Sequence, residues 1–165
     1  MQYIQLDHHM VWTALLKAIS LCLISVAIEA ISATKEGKEW FESLKRPRYS
    51  FPLRAWYVVG AVYYVIFGII AYRQFAMGMP FYSAPVILLI VVMLINGFSN
   101  FLLFKYRSLK WFYLIIYPFA VVLLALIITL SYQDIFSSIL ASIYFVWLFF
   151  DLYYGYHLWK LNEEL

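Results

Sequence analysis

Charge is scarce in this 165-residue chain: 13% of its residues are Asp, Glu, Lys or Arg, about half the share found in soluble domains. Cysteine is nearly absent. Cys22 stands alone, which excludes an internal disulfide, a multi-cysteine metal site and a secreted disulfide scaffold. No Gly-rich phosphate loop, Ser-His-Asp set or pair of catalytic carboxylates is present, so no catalytic residue is assigned. His8-His9 lacks the further ligands that a metal site needs. The twelve Lys and Arg exceed the nine Asp and Glu by three, too small an excess to point to nucleic acid. Alternating strand patterns are missing, which argues against a β-barrel. Against these absences stand 65% hydrophobic and 21% aromatic residues and a mean hydropathy of +0.82. A soluble chain this small has too much surface to hide so much apolar area. Disorder and an ordinary soluble enzyme are excluded, and lipid is the expected solvent.

A helix needs roughly 20 apolar residues to span a bilayer, and five such stretches occur, at about 11–33, 55–75, 81–104, 111–131 and 135–159. The sequence therefore predicts an all-α integral membrane protein, a five-transmembrane-helix bundle in one membrane domain over residues 1–165. Short breaks at Met77-Gly78-Met79-Pro80, at 105–110 and at 131–134 force neighbouring helices to run antiparallel. The exception is the stretch 34–54, long, charged and carrying Pro47 and Pro52. Loops of that length are usually functional or disordered, and its Lys-Glu pattern reads as a solvated, helical face or a lid. No internal repeat is visible. The flank before the first span has no Lys or Arg, and the apolar run is too long for a signal peptide, so the helix is expected to be retained.

Basic residues divide unevenly between the two sides. The 34–54 loop holds Lys35, Lys38, Lys45, Arg46, Arg48 and Arg54, the third loop Lys105, Arg107 and Lys110, and the C-terminal end Lys160. Arg73 alone lies on the other side. The bias predicts an outer N-terminus, with the long loop and C-terminus cytoplasmic, in a bacterial inner membrane or an organelle membrane.

Ionisable groups at membrane depth are costly and mark candidate sites. Here they are Lys17, Glu29, Asp151 and His157, joined by Asn96 and Asn100 at i,i+4 spacing. Glu29, the two asparagines and Asp151 all fall toward the ends of their spans nearest the long loop, where they can converge. Their alternative roles are interhelical hydrogen bonds and, for Lys17, snorkelling to the interface.

The run Trp40-Phe41-Glu42-Ser43-Leu44-Lys45-Arg46-Pro47, followed by Pro52, resembles the pattern W-[YF]-x-x-L-x-[KR]-P-x-x-x-P-P of the translocator protein family, also called TspO/MBR proteins, tryptophan-rich sensory proteins or peripheral-type benzodiazepine receptors. The match continues through Val59, Tyr64 and Gly68, Asn96 in span three, Trp111 opening span four, and Trp147 and Tyr156 in span five, covering about residues 30–160. Phe51 stands for the first Pro of the Pro-Pro pair, Arg54 for a Trp, Gly60 for the Trp of V-W, Ser99-Asn100 for W-[SP] and Gly155 for an Asn. The chain looks like a divergent member.

The resemblance implies a five-helix bundle with a pocket beneath the first loop, binding a porphyrin, haem-like tetrapyrrole, sterol or isoprenoid lipid for sensing, sequestration or transport. It carries over to Trp40, Pro47, Tyr64, Asn96, Trp111, Trp147 and Asp151 as pocket residues. Lys45, Arg46, Arg48 and Arg54 would face an anionic ligand head. Leu152, Tyr156 and Lys160 also fit a proposed sterol motif. The expected partners are membrane lipid and a hydrophobic ligand, with a homodimer as a further option. The alternative function is an accessory or structural subunit of a larger, pigment-containing membrane complex, and a lipid enzyme using Asp151 or Glu29 is the remoter one.

Overall fold

The computed structural model describes residues 8–163, so residues 1–7, with the start of the flank discussed above, and residues 164–165 lie outside it, as does the His8 side chain. Seven α-helices follow one another: α1 His8–Ser32, α2 Lys35–Ser43, α3 Leu53–Ala76, α4 Ala84–Asn100, α5 Leu109–Leu114, α6 Ile116–Ser131 and α7 Ile135–Leu161. No strand occurs among the described residues. Five stretches are long and apolar enough to cross a membrane: His9–Ser32, Leu53–Ala76, Ala84–Lys105, Leu109–Ser131 and Ile135–Leu161. The protein is a multi-pass integral membrane protein.

The element boundaries follow from local chemistry. Thr34 caps α2, its hydroxyl accepting from the Gly37 amide at 3.1 Å, with Glu36 in the first turn where the helix dipole favours an anion. The expected solvated loop is thus a short amphipathic helix followed by the extended stretch to Pro52. At the far end of α3, Gly78 takes a φ of +77°, a value that costs glycine nothing. Span three starts at Ala84 rather than 81, because Ser83 forms its N-cap and Pro85 occupies the first turn.

Span three ends in a π-helical turn, Phe101–Lys105. Just before it, the Ser99 hydroxyl and the Asn100 amide both donate to the Asn96 carbonyl, at 2.7 and 3.3 Å. Such side-chain competition for a backbone acceptor loosens the regular ladder. Span four is broken at Ile115, because Pro118 has no amide to give the Leu114 carbonyl one turn earlier.

The spans close into a ring: α1 packs on α3 and α4, α4 on α6, α6 on α7, and α7 on α3. The main core lies in the half away from the 34–52 segment, with Phe67, Ile70, Leu89, Leu123, Leu126 and Leu130 fully buried. At that end Arg73 grips Asp134 through two hydrogen bonds of 2.6 and 2.7 Å, and Ser137 donates to the same carboxylate at 2.5 Å. The Arg73 guanidinium holds the Asp134 carboxyl at about 2, well below its ordinary range. The Lys17 ammonium rests over the rings of Phe75 and Phe81.

A second, smaller core at the other end joins Phe41 and Leu44 to Leu103, Leu109, Tyr154 and Leu158. It seats α2 on the π-turn. The Phe104 carbonyl approaches Gly37 so closely that any Cβ there would collide with it.

Candidate functional site

Between the two cores the ring does not fill. A cavity of about 360 Å³ opens there, within the range of small-molecule sites, about 300–1,000 Å³. All the spans line it, and Phe41 of α2 and Leu53 contribute at the segment end. Because α3 and α7 meet the cavity along a helical face, residues about three, four or seven apart point into it together. On α3 these are Trp56, Gly60, Tyr63 and Tyr64; on α7 they are Tyr144, Trp147, Asp151 and Tyr154.

The walls are aromatic. Trp56 and Trp147 meet edge to face with centroids 6.3 Å apart, Tyr154 lies 4.9 Å from Trp56, and Tyr63 and Tyr144 lie 5.1 Å apart. Phe51, in the stretch before α3, stacks on Trp147 at 6.3 Å and touches Trp56 at 6.4 Å, so it lids the two indoles. At position 60 the wall is open, since a Cβ on Gly60 would meet nothing within 4 Å.

Polar groups enter from four helices. Asn96 Nδ2 donates to Glu29 Oε1 at 2.5 Å, tying α4 to α1. The Tyr64 hydroxyl donates to Ser25 at 3.2 Å, and Ser25 donates to the Met93 carbonyl at 3.3 Å. Asp151 faces the same space from α7 and has no ion-pair partner among the described residues. The indole N–H groups of Trp56 and Trp147 and the hydroxyls of Tyr63 and Tyr154 are buried without partners.

Two asparagine links hold the segment above the cavity. Asn162, just past α7, accepts from the Lys45 amide at 2.9 Å and donates to the Lys45 carbonyl at 2.9 Å and to the Leu158 carbonyl at 2.8 Å.

A sequence profile of the TspO/MBR family matches residues 18–160. The chain belongs to the TspO/MBR family. Among curated proteins none matches it. Membership suggests a membrane ligand-binding or sensing role, and the five-helix bundle is the architecture expected of the family.

Of the pocket residues that the TspO/MBR resemblance implied, Tyr64, Asn96, Trp147 and Asp151 line the cavity together. Trp40 does not; it packs half-buried against the small core that seats α2. Pro47 is buried in the stretch leading away from α2 and is not a lining residue. Trp111 is 60% exposed on the outer surface, in a shallow groove with Phe98, Phe101 and Tyr106. Lys45, Arg46, Arg48 and Arg54 are all exposed, and none lines the cavity. Leu152, Tyr156 and Lys160 are likewise outside it. Tyr156 packs on Tyr113, and the Lys160 ammonium sits 4.5 Å over Trp159 and 3.0 Å from Glu163.

Glu29 and Asn100 complete the convergence expected from their membrane depth, and both line the cavity. Trp56, Tyr63, Tyr144 and Tyr154 line it too without having been assigned to it from the sequence. Their signal was register: Trp56 and Tyr63 are seven apart on α3, and Tyr144 and Tyr154 fall three residues either side of Trp147 and Asp151.

Proposed function

We propose that this TspO/MBR protein binds a hydrophobic, ring-bearing small molecule in the cavity between its five spans, and that the bound state is what it senses, sequesters or carries. The observation that carries this reading is an unfilled space of about 360 Å³ walled by Trp56, Trp147 and five tyrosines between the spans of the bundle. A core with no ligand to accept closes to native packing density, whereas this one leaves two indoles facing open volume. Flat rings against such walls gain about 0.5–1.5 kcal/mol per aromatic contact beyond the area they bury.

Titration of the protein in nanodiscs with a porphyrin, a sterol and a polyprenyl lipid tests it. Saturable quenching of tryptophan fluorescence by the porphyrin or the sterol is expected, stronger than by the acyclic polyprenyl lipid and weakened about tenfold in Trp147→Ala. Quenching that is linear, or equal in Trp147→Ala, contradicts the reading. The cavity end of the bundle is assigned to the cytoplasmic side on the distribution of basic residues. Labelling of a single cysteine placed at position 163, in a Cys22→Ser background, only after the membrane is permeabilised is the expected outcome.

A further inference from the structure

The charges of the cavity are all of one sign. Glu29 and Asp151 line it, and no Lys, Arg or His does. One oxygen of Glu29 is satisfied by Asn96; Asp151 has no cation near enough to pair with it among the described residues. A carboxylate at membrane depth is costly until a countercharge or donor reaches it. The remaining polar atoms agree. Tyr63 and Tyr154 are 1% and 2% exposed, line the cavity, and leave their hydroxyl oxygens without a partner; such oxygens accept from an N–H donor. Around them stand the rings of Trp56, Trp147 and Tyr144, and aromatic rings attract cations. Carboxyl groups, hydroxyl oxygens and indole rings lining one cavity form the chemistry that recognises an ammonium group. An anionic ligand meets two acidic side chains and no cation there.

Resting on the reading that this cavity holds a ligand, the geometry points to a lipophilic amine as that ligand: an aromatic body against Trp56 and Trp147, with its protonated nitrogen delivered to Asp151. Glu29, already engaged by Asn96, adds field without needing direct contact. The exposed Lys45, Arg46, Arg48 and Arg54 take no part in holding the ligand.

Three probes of one shape test this, applied to the full chain in phosphatidylcholine nanodiscs with empty nanodiscs subtracted. The first is a dibenzazepine with a dimethylaminopropyl chain. The second replaces the nitrogen of the chain by C–H, and the third ends the chain in a carboxylate. Saturable binding of the amine at least about tenfold tighter than of its carbon isostere is expected, with the carboxylate weakest. Asp151→Asn is expected to lower amine affinity about tenfold while leaving the isostere unchanged. The ranking in the parent protein decides the matter even if that variant folds poorly. An isostere that binds as tightly as the amine overturns the amine assignment and leaves the cavity reading standing. An Asp151→Asn protein that is folded and keeps the full amine preference also overturns it. Failure of all three probes to bind overturns the amine assignment, and the cavity reading then stands or falls with the porphyrin and sterol titration.

Discussion

At position 60, where the family pattern carries Trp, a glycine with open space beyond its Cα leaves the wall of the cavity unbuilt. Gly60→Trp is expected to fill part of the 360 Å³ and weaken ligand binding more than about tenfold, while thermal unfolding stays near the parent value; calorimetric titration and a melting curve read the two effects. Gly60→Ala places a methyl group in the same open space and removes backbone freedom from a helix interior, so it is expected to stabilise by about 0.5–1 kcal/mol. Asn96 behaves oppositely. Its amide donates to Glu29 at 2.5 Å, and Asn96→Ala removes that bond from a carboxyl at membrane depth. A loss of about 1–3 kcal/mol in detergent unfolding is expected, and Asn96→Asp, which sets two acids together, is expected to cost more. At this scale the sequence was informative about polar residues and poor about aromatic ones. Membrane-depth polar groups have few places to go, so Glu29, Asn96, Asn100 and Asp151 were legible as a convergent set. A tryptophan is at home in lipid, at an interface or in a core, and nothing in Trp111 or Trp56 as residues says which.

The spans were legible in the sequence, but their exact ends and the break in span four were not, although single residues dictate them. Thr34 and Gly37 mark α2, Ser83 and Pro85 mark the start of α4, and Pro118 marks the break that the hydropathy of span four conceals. The π-turn was not legible, because it arises from two side chains competing for one carbonyl, a geometric event with no composition of its own. That break also explains Trp111: α5 is set off from α6 at Ile115, so the inward register of α6 does not extend to it. The segment 44–52 behaves as an element through Asn162, just past α7, which is 6% exposed and makes two hydrogen bonds to Lys45 and one to the Leu158 carbonyl. Asn162→Ala is expected to cost about 1–3 kcal/mol. Hydrogen exchange will show the change as faster labelling at residues 44–48, with the middle of α7 unaffected; equal labelling in both proteins contradicts the clamp.

Across the whole molecule, five spans were legible because hydropathy summed over some 20 residues overwhelms local detail. Their closure into a ring was not. Lipid and core are both apolar, so a membrane helix need not carry one distinct apolar stripe, and the inward face shows only in contacts. The ring is pinned at the far end by Arg73 and Asp134, an ion pair in which the carboxylate is 3% and the guanidinium 40% exposed. The folded-state carboxyl titrates at about 2 against an ordinary 3.8. The pair therefore contributes fully above that ordinary value and is lost as pH falls toward 2. With the half-exposed arginine screened by solvent, the contribution is about 1–2 kcal/mol. The unfolding temperature of Asp134→Asn is expected to lie below the parent by a constant gap from about pH 5 to 8, closing as the pH drops below 4; a gap unchanged at pH 2 contradicts the assignment.

The contact between Gly37 and the Phe104 carbonyl bears on how related sequences diverge. Position 37 is forced to glycine only while the π-turn pushes that carbonyl outward, so the two features are one character and not two. Relatives that keep an asparagine and a serine to disturb the end of span three should keep glycine in the first turn of the short helix, and relatives that regularise span three should be free to carry alanine or larger there. Covariation between these distant positions is the historical trace the contact leaves.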